Sequence, residues 1–222
     1  MHRQQTLAIF DLDNTLIAGD SDHAWGTFLI DKGIVDKVDY QRKNDRFYAD
    51  YCEGKLNIHD YQRFVLTPLI SLSIATRTRL HSEFMSSHIA PLRLLKADDL
   101  LNKHRQAGDK LLIITATNRF IAGPIASLLG VSDLLATEPE IINGKFTGAI
   151  AGIPCYQHGK VERFDEWLEN QHTVPESSYF YSDSINDVHL LEKVDYPVAV
   201  DPDEKLKNYA SQKRWPIISL RE

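Results

Sequence analysis

The chain has 222 residues, 43% of them hydrophobic, enough to bury one large core or a core with an inserted unit. Its formal net charge of −6 and pI near 5.8 leave no clustered Lys and Arg of the kind that nucleic acid or an anionic membrane surface demands. Cys52 and Cys155 are the only cysteines, which excludes a disulfide framework and a cysteine-rich zinc site and leaves two idle thiols.

The first predicted element is a strand over Leu7–Phe10, ending in FDLDNTL. An apolar run that delivers Asp11 and Asp13 to its exposed end places acid groups where open α/β sheets keep ligands. Two packed carboxylates repel and lose hydration, so a hard divalent cation is their natural compensation. The simpler alternative is an Asx-type turn with two solvated acids. The apolar part of MHRQQTLAIF is too short for a secretory leader, and no run approaches a membrane span, so a cytoplasmic protein is expected.

Residues 17–91 read as an aromatic-rich helical insert. Trp25, Phe28 and Leu29 share one helical face, as do Phe47, Tyr48 and Tyr51, then Tyr61, Phe64 and Val65, with Thr67-Pro68 and Ala90-Pro91 as punctuation. Thereafter helices and apolar strands alternate, the pattern of a doubly wound parallel sheet. A helix ending near Gly108 leads to a strand over Lys110–Ala116, a helix over Ile121–Leu129 and a short strand over Leu134–Thr137. Asn143-Gly144 between apolar flanks predicts a hairpin. A helix over Gly159–Asn170 buries Phe164, Trp167 and Leu168; then come a strand over Ser178–Asp183, a helix over Ile185–Glu192 and a strand over Tyr196–Val200. Asp201-Pro202 predicts a further helix start, with Asp201 as N-cap.

Four separated stretches therefore bring polar groups to one sheet edge: Asp11 and Asp13; Thr115 with Thr117 and Asn118; Lys160 behind His158-Gly159; and Asp183, Ser184, Asn186 and Asp187. Singly, each is a turn, cap or solvated residue. Together they suit metal-assisted phosphoryl transfer.

In order and spacing these stretches resemble the motifs of the haloacid dehalogenase (HAD) superfamily over nearly the whole chain. FDLDNTL looks like the first motif, Thr115 the second, Lys160 the third and DSIND, Asp183 to Asp187, the fourth. A helical insert between the first two is similar to the cap of phosphoserine-phosphatase-like members (subfamily IB). ITATNRF, TEPEIINGKFTG and YSDSINDVHLLE resemble the branch that includes histidinol-phosphate phosphatases.

The resemblance implies an α/β fold, with a HAD-like Rossmannoid core over 1–16 and 92–222 and an inserted helical cap over 17–91. It implies a Mg²⁺-dependent phosphatase acting on a small phosphomonoester. Asp11 would be the nucleophile and Asp13 the general acid and base. Thr115, Ala116, Lys160 and Asn186 would hold phosphate, and Asp11, Asp13, Asp183 and Asp187 would surround the metal.

Asp20 stands where such relatives meet a substrate amine, so Asp20 and Asp22 suggest a cationic leaving group; alternatively they begin a helix at His23 and favour its dipole. Arg42, Arg46 and Arg63 are available for a substrate carboxylate, but none aligns with the family's arginine, which favours histidinol phosphate over phosphoserine. A phosphoryl-accepting regulatory protein, or a phosphotransferase using the same aspartate, is the alternative function. A lipid phosphate is disfavoured by the lack of a basic patch. No partner other than the small molecule is implied.

Overall fold

The first strand is apolar at every position, so its side chains must enter a core on each face of the sheet. In the computed structural model, which describes residues 5–171 and 175–221, β1 (Leu7–Phe10) is wholly buried at the centre of a parallel sheet. Ala8 and Phe10 point into one core, and Leu7 and Ile9 into a second on the opposite face.

After β1 come α1 (Ser21–Asp31), α2 (Lys37–Glu53), α3 (Ile58–Ile70) and α4 (Ile74–Phe84), then a π-turn over Met85–Ile89. The remainder alternates: α5 (Leu95–Ala107), β2 (Lys110–Asn118), α6 (Arg119–Leu128), β3 (Asp133–Thr137), the hairpin β4 (Pro139–Ile142) and β5 (Lys145–Ile150), α7 (His158–Glu169), β6 (Ser178–Ser182), α8 (Val188–Leu191), β7 (Tyr196–Val200), α9 (Glu204–Lys213) and β8 (Ile217–Ile218). The sheet order is β3-β2-β1-β6-β7-β8, with every pairing parallel. Buried residues of α5 and α6 join the core of Phe10, and those of α7, α8 and α9 join the core of Ile9. This is the doubly wound α/β sheet expected. The chain leaves β1 toward β2 on one side and returns through β6 on the other, so the ends of β1 and β6 form the switch point where ligands collect. Among the described residues no helix is long and apolar enough to cross a membrane.

Several expected details shift. Pro68 sits inside α3 rather than ending it. The helix predicted over Ile185–Glu192 is a 3₁₀ turn (Ile185–Asp187) followed by α8. Asp203, not Asp201, caps the next helix, its carboxylate accepting from the Leu206 N–H at 2.7 Å. Asp201 instead adopts a left-handed φ of 42° and accepts from the Leu220 N–H at 2.9 Å, tying down the chain just beyond β8. Of the apolar stripe expected on α7, Phe164 is buried, while Trp167 and Leu168 are half-buried. Tyr48 is exposed, whereas its neighbours Phe47 and Tyr51 tuck under α2.

The β4–β5 hairpin forms as Asn143-Gly144 predicts, and it packs on α3 rather than on the sheet. The Arg77 guanidinium of α4 donates to the Gly144 carbonyl at 3.1 Å and lies 4.5 Å from the Phe146 ring centroid. The roof above the sheet edge is thus made of α1–α4 together with a hairpin from a distant part of the sequence.

Candidate active site

Residue by residue, the site begins at the end of β1. The Asp11 N–H donates to the Tyr181 carbonyl at 2.9 Å, continuing the β1–β6 ladder one step past Phe10 and setting the carboxylate at the sheet edge. Asp11 is 3% exposed, and its Oδ1 accepts from Lys160 Nζ at 2.8 Å. Lys160, in the first turn of α7, is 1% exposed and also donates to Asp187 Oδ2 at 2.8 Å. Ser182 Oγ donates to the same Asp187 oxygen at 2.7 Å. Burial opposes the charge of Lys160, but Asp11 and Asp187 outweigh it and hold the ammonium above its ordinary range.

Asp13 is held from two directions: the Ser21 N–H donates to Oδ1 and Thr117 Oγ1 to Oδ2, both at 2.7 Å. Burial, helped by the charge of Asp20, pushes its carboxyl up to about 6 against those bonds. Burial likewise takes Asp11 to about 7, with Lys160 opposing. Asp183 follows β6, and the Thr15 hydroxyl bridges it, donating to Oδ1 at 3.0 Å while accepting from the Asp183 N–H at 3.1 Å. Burial first, then the charges of Asp11 and Asp187, raise Asp183 well above the carboxylate range. The ends of β1 and β6 therefore hold Asp11 and Asp183 close enough to repel each other.

Lys160 pairs with Asp11 and Asp187 alone, so the four acids Asp11, Asp13, Asp183 and Asp187 outnumber the buried ammonium beside them. Hydrogen bonds from the described residues engage Oδ1 of Asp11 and of Asp183 and leave each Oδ2 free. Two carboxylates and a main-chain carbonyl suit Mg²⁺, which keeps several waters. No cage of three or more acidic, histidine or cysteine side chains stands ready among the described residues. Asp187 turns both its oxygens onto Lys160, at 2.7 and 2.8 Å, and so anchors the ammonium while its charge still bears on Asp11 and Asp183.

Thr115 is buried beside them, its Oγ1 accepting from the Thr117 N–H at 3.2 Å. Thr115 and Ala116 line a narrow cleft with Asp11, Asp13, Asp20 and Asp22. Asp20 caps α1, accepting from the His23 N–H at 2.7 Å. Asp22 Oδ1 accepts from Asn118 Nδ2 at 3.3 Å. Burial raises both acids. Phe47, Tyr48, Tyr51 and Tyr61 wall the cleft, and no Lys, Arg or His among the described residues lines it. Arg42, Arg46 and Arg63 are outside, beside Asp39, Asp50 and Asp60.

Asn186 is not among the cleft residues. Its Nδ2 donates to the Tyr51 carbonyl at 3.0 Å, and its Oδ1 accepts from Gln157 Nε2 at 3.3 Å, which fastens α2 to the core. Gln157 Nε2 also reaches the Gly54 carbonyl at 3.2 Å. Sequence reasoning passed over Thr15, which lies within the first motif itself.

The family model of the haloacid dehalogenase-like hydrolases matches residues 8–192. A histidinol-phosphatase of Neisseria meningitidis is 41% identical over 98% of this chain and 100% of its own. A crystal structure from Bordetella pertussis, of a protein with unknown function, is 39% identical and superposes with a TM-score of 0.92 over 98% of this chain and 100% of that one. A substrate-bound phosphoserine phosphatase shares the fold at 17% identity, with a TM-score of 0.71 over 99% of this chain and 95% of its own. The chain belongs to the haloacid dehalogenase-like hydrolase family and is an enzyme of its phosphatase type.

Proposed function

We propose that the chain is a Mg²⁺-dependent phosphatase that hydrolyses a small, amine-bearing phosphomonoester through an aspartyl-phosphate on Asp11, with histidinol phosphate favoured over phosphoserine and residues 17–91 as the cap. The observation that carries this reading is the lining of the cleft, where acids and aromatic rings occur without a basic side chain. Such a lining attracts a cation and a flat ring and repels a substrate carboxylate. The resemblance to a histidinol-phosphatase points the same way.

In the first half-reaction an Asp11 carboxylate oxygen forms a bond to phosphorus as the bond to the leaving alcohol breaks, and Asp13 gives that alcohol its proton. In the second, Asp13 takes a proton from the water that attacks phosphorus, freeing Asp11 and releasing phosphate. A carboxyl at about 6 can serve both halves near neutrality. Lys160 balances charge on Asp11 throughout, Thr115 and the main chain at Ala116 hold phosphoryl oxygens, and Asp20 and Asp22 meet the amine. Mg²⁺, held by Asp11, Asp183 and the Asp13 carbonyl, would neutralise charge gathering on the phosphoryl group. Phosphate monoesters need accelerations approaching ~10²¹, and proton transfer contributes about 10² to 10⁴, so positioning and charge must supply most of the rest.

A panel of phosphomonoesters with Mg²⁺ tests the reading. Histidinol phosphate should exceed phosphoserine in kcat/KM by about a hundredfold, the scale of a missing charge partner against an opposed one. Equal use of both would overturn the substrate assignment. A single stoichiometric burst without turnover would favour the regulatory alternative.

A further inference from the structure

The core holds the end of α2 by its carbonyls. The helix closes on Gly54 in the left-handed conformation, and side chains from three core segments reach its last turn. Asn186 Nδ2 donates to the Tyr51 carbonyl at 3.0 Å, Gln157 Nε2 to the Gly54 carbonyl at 3.2 Å, and Lys205 Nζ of α9 to the Glu53 carbonyl at 3.3 Å. Carbonyls at a helix end are short of partners and carry partial negative charge, so amide and ammonium donors suit them. The fit is close: a Cβ on Gly54 would lie 3.2 Å from Asn186 Oδ1.

Two of these donors adjoin the buried ion pair. The Gln157 carbonyl accepts from the Lys160 N–H at 3.1 Å in the first turn of α7, and Asn186 immediately precedes Asp187, which holds the Lys160 ammonium. They also bond each other, Gln157 Nε2 donating to Asn186 Oδ1 at 3.3 Å. At Gln157 φ is 49° and ψ −120°, a backbone conformation natural to glycine and strained for a residue with a Cβ. A strained residue persists where its contacts hold it. Those of Gln157 run to the end of α2 on one side and to the turn of Lys160 on the other.

We propose that Gln157 is a positioning residue that ties the seating of α2 over the cleft to the placement of Lys160. With α2 seated, Phe47 and Tyr51 wall the cleft, and the Gly54 carbonyl and Asn186 hold the carboxamide while the first turn of α7 sets the ammonium against Asp11. When α2 lifts, Gln157 loses the Gly54 carbonyl, its backbone relaxes, and the turn that carries Lys160 shifts with it. Asp11 then has its full charge balance only while the leaving group is enclosed. This inference deepens the phosphatase reading above and rests on it, without depending on which ester is used.

The test compares Gln157→Gly, which removes both strain and carboxamide, with Gln157→Glu, which keeps shape and strain but cannot donate to the Gly54 carbonyl. Turnover of histidinol phosphate and of p-nitrophenyl phosphate is measured with Mg²⁺, alongside Tm and hydrogen exchange. In both variants kcat should fall about tenfold or more on both esters, the scale of one lost hydrogen bond, while Gln157→Gly melts no lower than wild type. Lys205→Ala frees α2 from its other side: it should speed exchange over residues 51–55 and 158–161 in the wild-type background, but over 51–55 alone once residue 157 is glycine. An unchanged kcat in both variants overturns the proposal, as does a raised KM at constant kcat, which would mean that Gln157 merely holds the helix. A lower Tm in Gln157→Gly with normal kcat overturns it too. A wild type that turns over neither ester would sink the phosphatase reading and this inference with it, whereas an active wild type whose two segments exchange independently removes the coupling alone.

Discussion

Thr117 Oγ1 donates to Asp13 Oδ2 at 2.7 Å, so the end of β2 fixes the carboxylate that follows β1. This bond and the one from Ser21 hold Asp13 down against burial and Asp20. Thr117→Val should therefore raise the Asp13 pKa, moving the basic limb of the pH–rate profile upward, and should lower kcat by about tenfold. The pH dependence of kcat/KM measures it; a limb that stays put would separate Asp13 from the titration.

Asp11→Asn should reduce phosphate release by about 10⁴ or more while leaving circular dichroism and histidinol binding intact. Retained turnover would remove the nucleophile assignment.

Lys160 is the buried ammonium between Asp11 and Asp187. Lys160→Met leaves both acids uncompensated, so it should destabilise the fold by about 3–5 kcal/mol, read by urea denaturation without metal. A loss below about 1 kcal/mol would mean that the acids find other partners.

The raised acids also set a pH dependence. Asp11 at about 7 and Asp13 at about 6 bind protons more tightly folded than at their ordinary 3.8. Between those values the unfolded chain loses protons first, so stability without metal should fall as pH rises through that window and level off above it. Mg²⁺ should restore more stability at about pH 7.5 than at about pH 5, since it favours the ionised site. Thermal melts with and without Mg²⁺ at both values check the sign; equal increments would refute it.

Asn186→Ala removes a bond from the core to the Tyr51 carbonyl. A loss of about 1 kcal/mol and faster limited proteolysis within α2 are expected, together with a higher KM, because Phe47 and Tyr51 on that helix wall the cleft. Unchanged proteolysis would show that α2 is held by packing alone.

The sheet and the meeting of Asp11, Asp13, Thr115 and Asp183 could be read from the sequence, because the three acids follow apolar strands, Thr115 lies near the end of β2, and parallel strands end at one edge. What escaped depended on direction. DSIND places Asn186 and Asp187 at the correct edge, but the 3₁₀ turn aims one at Tyr51 and the other at Lys160. Asp201 and Asp203 both suit an N-cap, and only the left-handed backbone at Asp201 distinguishes them. The hairpin was legible as a hairpin, but its docking on α3 is a long-range contact without local signature.

That docking constrains any attempt to exchange leaving-group preference between relatives. The Arg77–Gly144 hydrogen bond and the stacking on Phe146 couple two stretches of chain separated by α5, β2, α6 and β3. Transplanting 17–91 alone would set a foreign α3 and α4 against the host's hairpin, so chimaeras should carry residues 139–150 in the same graft.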